Sequence, residues 1–126
     1  QKADGSVTPN RIGNINGDLF SSPDGMAFDP DGRLWILTDA DEEAPYTADI
    51  GCNQMPCADP ASREIRRFLV GPRGAEITGI TWTPDARAMW VNVQHPGISY
   101  PASDGKTRPR STTVLITRED GGVIGS

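Results

Sequence analysis

The sequence lacks an excess of basic residues, any long apolar run and any segment with a clear helical period. Its 12 Lys and Arg against 17 Asp and Glu give a net charge of −5. We therefore expect no nucleic acid partner, because a phosphate backbone attracts a basic surface. No apolar run approaches the ~18–20 residues of a membrane-spanning helix, so we expect no membrane span. No secretion signal is present, but the chain starts at Gln1, so this says little about compartment.

Cysteine, histidine and aromatic residues are also scarce. The two cysteines, Cys52 and Cys57, are separated by four residues. This spacing differs from the C-x-x-C of zinc ribbons and thioredoxins. It leaves open two separate thiols or a local disulfide in an oxidising compartment, with metal ligation less favoured. Aromatic residues make up only 6% of the chain, so we expect the three tryptophans at packing centres.

Glycine and proline, in contrast, are frequent and punctuate the whole chain. The 14 Gly and 11 Pro lie between short segments such as "GMAFD", "RLWIL", "REIRRFLVG" and "TTVLITRED". These segments read as strands, and "PDG" reads as a tight turn in which Gly takes the left-handed conformation. The pattern predicts an all-β protein of many short strands.

An internal repeat organises these strands. The segment Asp24–Arg33 aligns with Thr78–Arg87, and a one-residue insertion then brings Trp35 onto Trp90, a period of 54–55 residues. Repeats of roughly this length are typical of β-propeller blades, each a four-stranded antiparallel sheet. In the second copy Ala86 replaces the turn glycine, so we expect that turn to be of a type that tolerates a Cβ.

The predicted fold is therefore all-β, with about two antiparallel blades of a β-propeller. Residues 1–19 are assigned to a segment from a preceding blade or loop, 20–75 to the first repeat, and 76–126 to the second repeat and a C-terminal strand. Two blades cannot close a ring, so the fold is incomplete on its own. The chain is either a fragment of a larger propeller, which we favour, or a subunit that closes by assembly.

Several motifs in order resemble the C-terminal end of the PhoX-type alkaline phosphatases. They are "FSSPDGMAFDPDGRLWILTD", "CNQMPCADPASREIRRFLVGPRGAEITGITWTPDARAMWVNVQHPG" and "RPRSTTVLITREDGGVIGS". The resemblance implies a large bacterial six-bladed propeller that hydrolyses phosphate monoesters at a site holding calcium and iron ions (Ca²⁺ and Fe³⁺). It also implies export by the twin-arginine route, and hence a periplasmic or extracellular location.

Two carboxylates are the main candidate metal ligands. The repeat register makes Asp24 equivalent to Thr78, with Glu76 two residues earlier on the same strand face. Carboxylates from adjacent blades could converge on the propeller axis, and they suit hard cations such as Ca²⁺ and Fe³⁺. By resemblance, Glu76 falls on the glutamate of the family's "G-x-E-[VI]-T-G" stretch. Asp24 could instead cap the turn "SPDG".

The secondary candidates have structural alternatives. His95 could be a ligand or a donor near the metal, but a histidine before proline at a strand end is more often structural. Arg73 could face phosphate or be a solvated turn residue. The acidic run "TDADEEAPYTAD" fails as an EF-hand loop, because Ala44 replaces the glycine and Ile50 the glutamate that such loops require. An insertion on the channel face of the propeller could still hold calcium, but a solvated loop is the default for this run.

Two other functions stay open at this stage. One is a lactonase-type propeller hydrolase that holds a single divalent ion, and the other is a binding or scaffold propeller without a reactive centre. The remaining ligands of a phosphatase site would lie in blades that this chain lacks. We therefore expect the isolated chain to be inactive.

Overall fold

The protein is described by a computed structural model that covers residues 16–41, 43–97, 100–102 and 104–126. It forms two β-sheets and one short helix. Of the predicted N-terminal segment, residues 1–15 lie outside the described residues. The elements are β1 (Asn16–Gly17), β2 (Pro23–Phe28), β3 (Leu34–Thr38), α1 (Thr47–Ile50), β4 (Gln54–Asp59), β5 (Glu64–Val70), β6 (Glu76–Trp82), β7 (Ala88–Gln94) and β8 (Thr112–Thr117).

The first sheet is an antiparallel meander with one added strand. Its order is β1-β5-β4-β3-β2, and only the two-residue β1 pairs in parallel, with β5. The second sheet has the order β6-β7-β8 and is antiparallel throughout. The predicted all-β class with two antiparallel sheets is confirmed.

Strand pairing agrees with the sequence repeat. Trp35 pairs with Ala27 in the first sheet, and Trp90 pairs with Thr81 in the second. The two tryptophans thus occupy equivalent places in their hairpins, as the alignment predicts. Ala86 keeps the left-handed conformation of a turn glycine, with φ of 53°, so the second turn accepts a Cβ in a conformation that favours glycine.

The hydrophobic core lies between the two sheets. Both sheets contribute large buried side chains, and each such side chain adds about 1.5–3 kcal/mol to stability. Trp35 lies in this core. Trp82 packs against the core, and the centroids of the Trp35 and Trp82 rings are 6.1 Å apart. Trp90 is half-buried. The buried core residues are Trp35, Leu37, Met55, Ala75, Ile77, Met89, Val91, Val93 and Ile124.

The segment after β8 joins the two sheets. Ile124 is buried in the core, and its N–H donates to the carbonyl of Ala86 in the second sheet at 3.0 Å. From the first sheet, the Arg33 guanidinium donates to the carbonyls of Gly125 at 2.8 Å and Ile124 at 3.2 Å. This segment therefore forms hydrogen bonds with both the β2–β3 turn and the β6–β7 turn.

A buried carboxylate, Asp29, holds Arg33 in place. It accepts hydrogen bonds from Trp35 Nε1 at 2.8 Å, from Arg33 Nε at 2.7 Å and from the Arg33 N–H at 2.9 Å. Burial alone would raise the pKa of Asp29, but the hydrogen bonds from Trp35 and Arg33 and the Arg33 charge lower it below the ordinary 3.8. Asp29 is thus a structural carboxylate.

The two cysteines are separate free thiols, so the local disulfide alternative is wrong. Cys57 lies in β4 and Cys52 before it. Burial raises the pKa of Cys57 to about 11, so this thiol stays protonated and poorly reactive.

We expect Asp29→Asn to destabilise the protein at neutral pH by about 3 kcal/mol, because Arg33 loses its buried partner. The Asp29 pKa is lowered on folding, so its stabilisation is present above the ordinary carboxyl pKa and is lost as pH falls through the folded-state value. The difference in melting temperature between wild type and variant should therefore shrink in acid. Thermal denaturation at neutral pH and at about pH 3 measures this.

The matched control is Asp31→Asn in the same turn. Asp31 also contacts Arg33, but its side chain is 59% exposed. An exposed pair of this kind contributes about 0–1 kcal/mol. Equal losses for the two variants would contradict the structural role given to Asp29.

Candidate metal-binding cleft

A cleft of about 330 Å³ opens between the two sheets. One wall is the segment that follows β3, and the other is the start of β6 with the loop after β7. Acidic side chains dominate its lining. The lining residues are Asp39, Ala40, Asp41, Glu43, Asn53, Gly74, Glu76, His95 and Gly97.

Glu76, the strongest candidate from sequence, is directed into this cleft by strand alternation. Its neighbour Ile77 is buried in the core, so Glu76 and Thr78 lie on the opposite face of β6. The pairing of Glu76 with Gln94 and of Thr78 with Asn92 is regular, so this alternation is unbroken. The prediction that Glu76 and Thr78 share a face is confirmed.

Like charges surround the Glu76 carboxylate. Partial burial raises the pKa of Glu76 above its ordinary 4.5, and the negative charges of Asp39 and Asp24 raise it further. The His95 charge and a hydrogen bond with Thr78 oppose the rise. The carboxylate therefore lies in a field that penalises its charge and that a bound cation would relieve.

Asp39 forms the opposite wall. Its N–H donates to the carbonyl of Ser22 at 3.0 Å, just beyond the end of β3. In the second sheet the equivalent pair is Glu76 and Gln94, with Glu76 at the place of Ser22 and Gln94 at the place of Asp39. The two repeats therefore carry their cleft carboxylates on different strands, and Asp39 aligns with Gln94 rather than with Glu76.

Asp24 lies within β2, not in the turn proposed as the alternative. It sits at a register shift between Pro23 and Gly25, which marks a bulge. Bulges re-aim side chains and are frequent beside active sites. Asp24 is exposed and acts on Glu76 through its charge, without lining the cleft itself.

His95 and Arg73 take different positions. His95 lines the cleft, has φ of 50°, and its Nε2 lies 2.7 Å from Gln94 Nε2. Arg73 is exposed and lines a neighbouring depression with Cys52, and Glu43 borders both depressions. The structure thus brings His95, but not Arg73, into the cleft.

The acidic run after β3 borders the cleft through its first residues. The Asp41 carboxylate accepts a hydrogen bond from the Glu43 N–H at 3.0 Å, and the hydroxyls of Tyr46 and Ser22 are 3.0 Å apart. Asp41 and Glu43 are both exposed and line the cleft. The predicted solvated loop is therefore also one border of the candidate site.

The side chains of the cleft suit a hard cation. Carboxylate oxygens are ligands that Ca²⁺ takes, and ferric iron also accepts carboxylates. Within the described ranges, no three His, Cys, Asp or Glu side chains gather closely enough to enclose a metal ion by themselves. The described carboxylates of the cleft therefore do not form a complete metal site by themselves.

Two residues of the cleft were missed by the sequence reasoning. Asp39 was considered only as part of the acidic run, although the repeat alignment makes it equivalent to Gln94, the strand partner of Glu76. Asn53 also lines the cleft, and no motif marks it. Its contacts lie across a loop, where the repeat gives no guide.

Comparison with known proteins gives a consistent result. A family model described as alkaline phosphatase PhoX matches residues 1–97. The solved structure of Pseudomonas fluorescens PhoX in complex with vanadate, a transition state analogue, is 52% identical with a TM-score of 0.79. The match covers 86% of this chain but only 20% of that one. No curated protein matches, and no helix in the described part could cross a membrane.

We expect Glu76→Gln to raise the melting temperature of the metal-free protein at neutral pH, by the equivalent of about 0.5 kcal/mol. The substitution removes a carboxylate that its neighbours repel. Because the folded-state pKa is raised, the repulsion is absent in acid and appears as pH rises through that value. Thermal denaturation in a chelator, across this pH range, tests the expectation.

Glu119→Gln is the control, since Glu119 is exposed in the turn after β8. This control should leave the melting temperature nearly unchanged. A Glu76→Gln variant that is less stable than wild type at neutral pH would show that Glu76 is favourably paired instead.

Proposed function

The chain belongs to the PhoX alkaline phosphatase family, and we propose on that basis that it is part of a larger enzyme that hydrolyses phosphate monoesters. Its two sheets are an incomplete part of a β-propeller, and it spans about a fifth of the similar solved chain. The activity proposed therefore belongs to the whole protein. We expect the isolated chain to be inactive.

The observation that carries the proposal is the repelled carboxylate at the mouth of the cleft. Burial and two nearby acids raise the pKa of Glu76, and like charges held together in this way are typical of metal sites and catalytic centres. One of these two acids, Asp39, lies on the opposite wall, just after a strand of the other sheet. A cation between the walls would convert this repulsion into attraction.

We propose that Glu76 and Asp24 are metal ligands and that Asp39 contributes a further oxygen. The ions implied by the family resemblance are Ca²⁺ and Fe³⁺, and the oxygen-rich side chains suit both. Such ions neutralise phosphoryl oxygens and activate the attacking oxygen. The chain itself holds these carboxylates at the start of β6, just after the end of β3 and within β2, and in this proposal the rest of the shell comes from other blades.

His95 and Arg73 have supporting roles in this proposal. His95 lies in the cleft beside Gln94. There its imidazole could bind the metal directly or donate a hydrogen bond to a group near the metal. Arg73 borders the adjoining depression, where a guanidinium suits the entry of a phosphate monoester. The similar structure contains vanadate, a transition state analogue, which supports an anion-binding centre in the whole enzyme.

The remainder of the propeller is the partner that the fold lacks. β2 is an edge strand of the first sheet, and its Met26 and Phe28 are 71% and 64% exposed. A further blade packed on this strand would cover both side chains. From the family resemblance we also propose that the whole enzyme acts in the periplasm or outside the cell.

The test is turnover of p-nitrophenyl phosphate by the full-length protein at alkaline pH with Ca²⁺. We expect Glu76→Gln to lower kcat/KM by about 100-fold or more, because a metal ligand is lost. Glu119→Gln is the matched control and should keep wild-type turnover. Circular dichroism confirms that both variants fold.

Each other outcome has a definite meaning. Full turnover in Glu76→Gln would reduce Glu76 to a structural residue. A wild-type protein without turnover would overturn the phosphatase proposal and favour the lactonase-type or scaffold function.

A further inference from the structure

Asn53 connects the two walls of the cleft. It immediately precedes β4, is 2% exposed and lines the cleft. An amide side chain buried to this degree is costly unless its hydrogen bonds are satisfied. The hydrogen bonds of Asn53 therefore identify the segments that it holds in place.

The Asn53 side chain holds the acidic wall. Its Oδ1 accepts from the Thr38 hydroxyl at 3.0 Å and from the Ala40 N–H, and its Nδ2 donates to the Ala40 carbonyl at 3.1 Å. Both backbone groups of Ala40 are thus bound by one side chain. Asp39 and Asp41, on either side of Ala40, are fixed by the same bonds.

The Asn53 main chain holds the opposite wall. Its carbonyl accepts from the Gly71 N–H at 2.8 Å, at the start of the connection that leads to Glu76. A Cβ on Gly71 would lie 2.7 Å from Ile77 Cδ1 and 3.1 Å from the Asn53 oxygen. This close packing ties the position of Asn53 to the strand that carries Glu76.

We propose that Asn53 is a positioning residue that sets the separation between the Asp39 wall and the Glu76 wall of the cleft. The inference rests on the proposed function, in which these carboxylates hold a cation. Asn53 contributes no ligand of its own, because its amide groups are engaged with Thr38 and Ala40. It acts by keeping two repelling acids at a distance that a cation can bridge.

Gln54 provides a matched control. It is the next residue, is equally buried at 2% exposed, and carries the same amide group. Its side chain bonds Arg67 and the Leu19 carbonyl, away from the cleft, because successive side chains of an extended segment point to opposite faces. Loss of Gln54 should destabilise the fold without moving the cleft walls.

The test is calorimetric binding of Ca²⁺ alone to the metal-stripped full-length protein, together with its melting temperature. We expect Asn53→Ala and Gln54→Ala both to lower the melting temperature. Only Asn53→Ala should weaken Ca²⁺ binding, by about 10- to 100-fold, as for other residues that orient metal ligands. Thr38→Val removes one of the Asn53 bonds and also the acceptor of the Gln54 N–H. It should weaken Ca²⁺ binding less than Asn53→Ala does, and it serves if Asn53→Ala does not fold.

The outcomes separate the two proposals. Wild-type protein that binds no Ca²⁺ would overturn the proposed metal site and this inference with it. Wild-type protein that binds Ca²⁺, with affinity unchanged in Asn53→Ala and Thr38→Val, would overturn this inference alone. Equal weakening by Gln54→Ala and Asn53→Ala would also overturn it, because general destabilisation would then explain the effect.

Discussion

The packing of Ile77 between the two sheets is the constraint on which the cleft depends. Ile77 is buried in the shared core and lies against Gly71, where even one added carbon would collide with its side chain. Because successive side chains of a strand point to opposite faces, Glu76 lies on the face of β6 opposite to Ile77. The buried Ile77 side chain thus positions the neighbouring Glu76 carboxylate on the side of the strand that faces the cleft.

Holding the Glu76 carboxylate partly buried and near Asp39 and Asp24 lowers the stability of the fold. Hydrophobic burial in the core is strong enough to hold repelling carboxylates near each other, and the raised pKa of Glu76 records the cost. Asp29 shows the opposite arrangement at the turn of the first hairpin. There, hydrogen bonds from Trp35 and Arg33 lower a carboxyl pKa, and the charge is fully engaged in the structure. The contrast separates a structural acid of the first sheet, Asp29, from the proposed metal ligand of the second sheet, Glu76.

The fold could be predicted from sequence further than the site could. Alternating apolar positions and turn signals mark the strands, and the repeat correctly makes Trp35 and Trp90 equivalent, since these are local patterns. For Asp24 a turn-capping role was left open beside the ligand role, because the bulge in β2 is not visible in the sequence. Asn53 and the buried Ile124 act through contacts distant in sequence, which only the packed sheets bring together.

The central claim is that carboxylates from two sheets of this chain hold a cation in the cleft. The most direct measurement is a crystal structure of the full-length protein with bound Ca²⁺, with the ion located by anomalous scattering. The account predicts an ion within about 2.3–2.6 Å of a Glu76 oxygen, on the side of the cleft that Asp39 borders. Bound ions located elsewhere, with Glu76 contacting only water or protein, would contradict it.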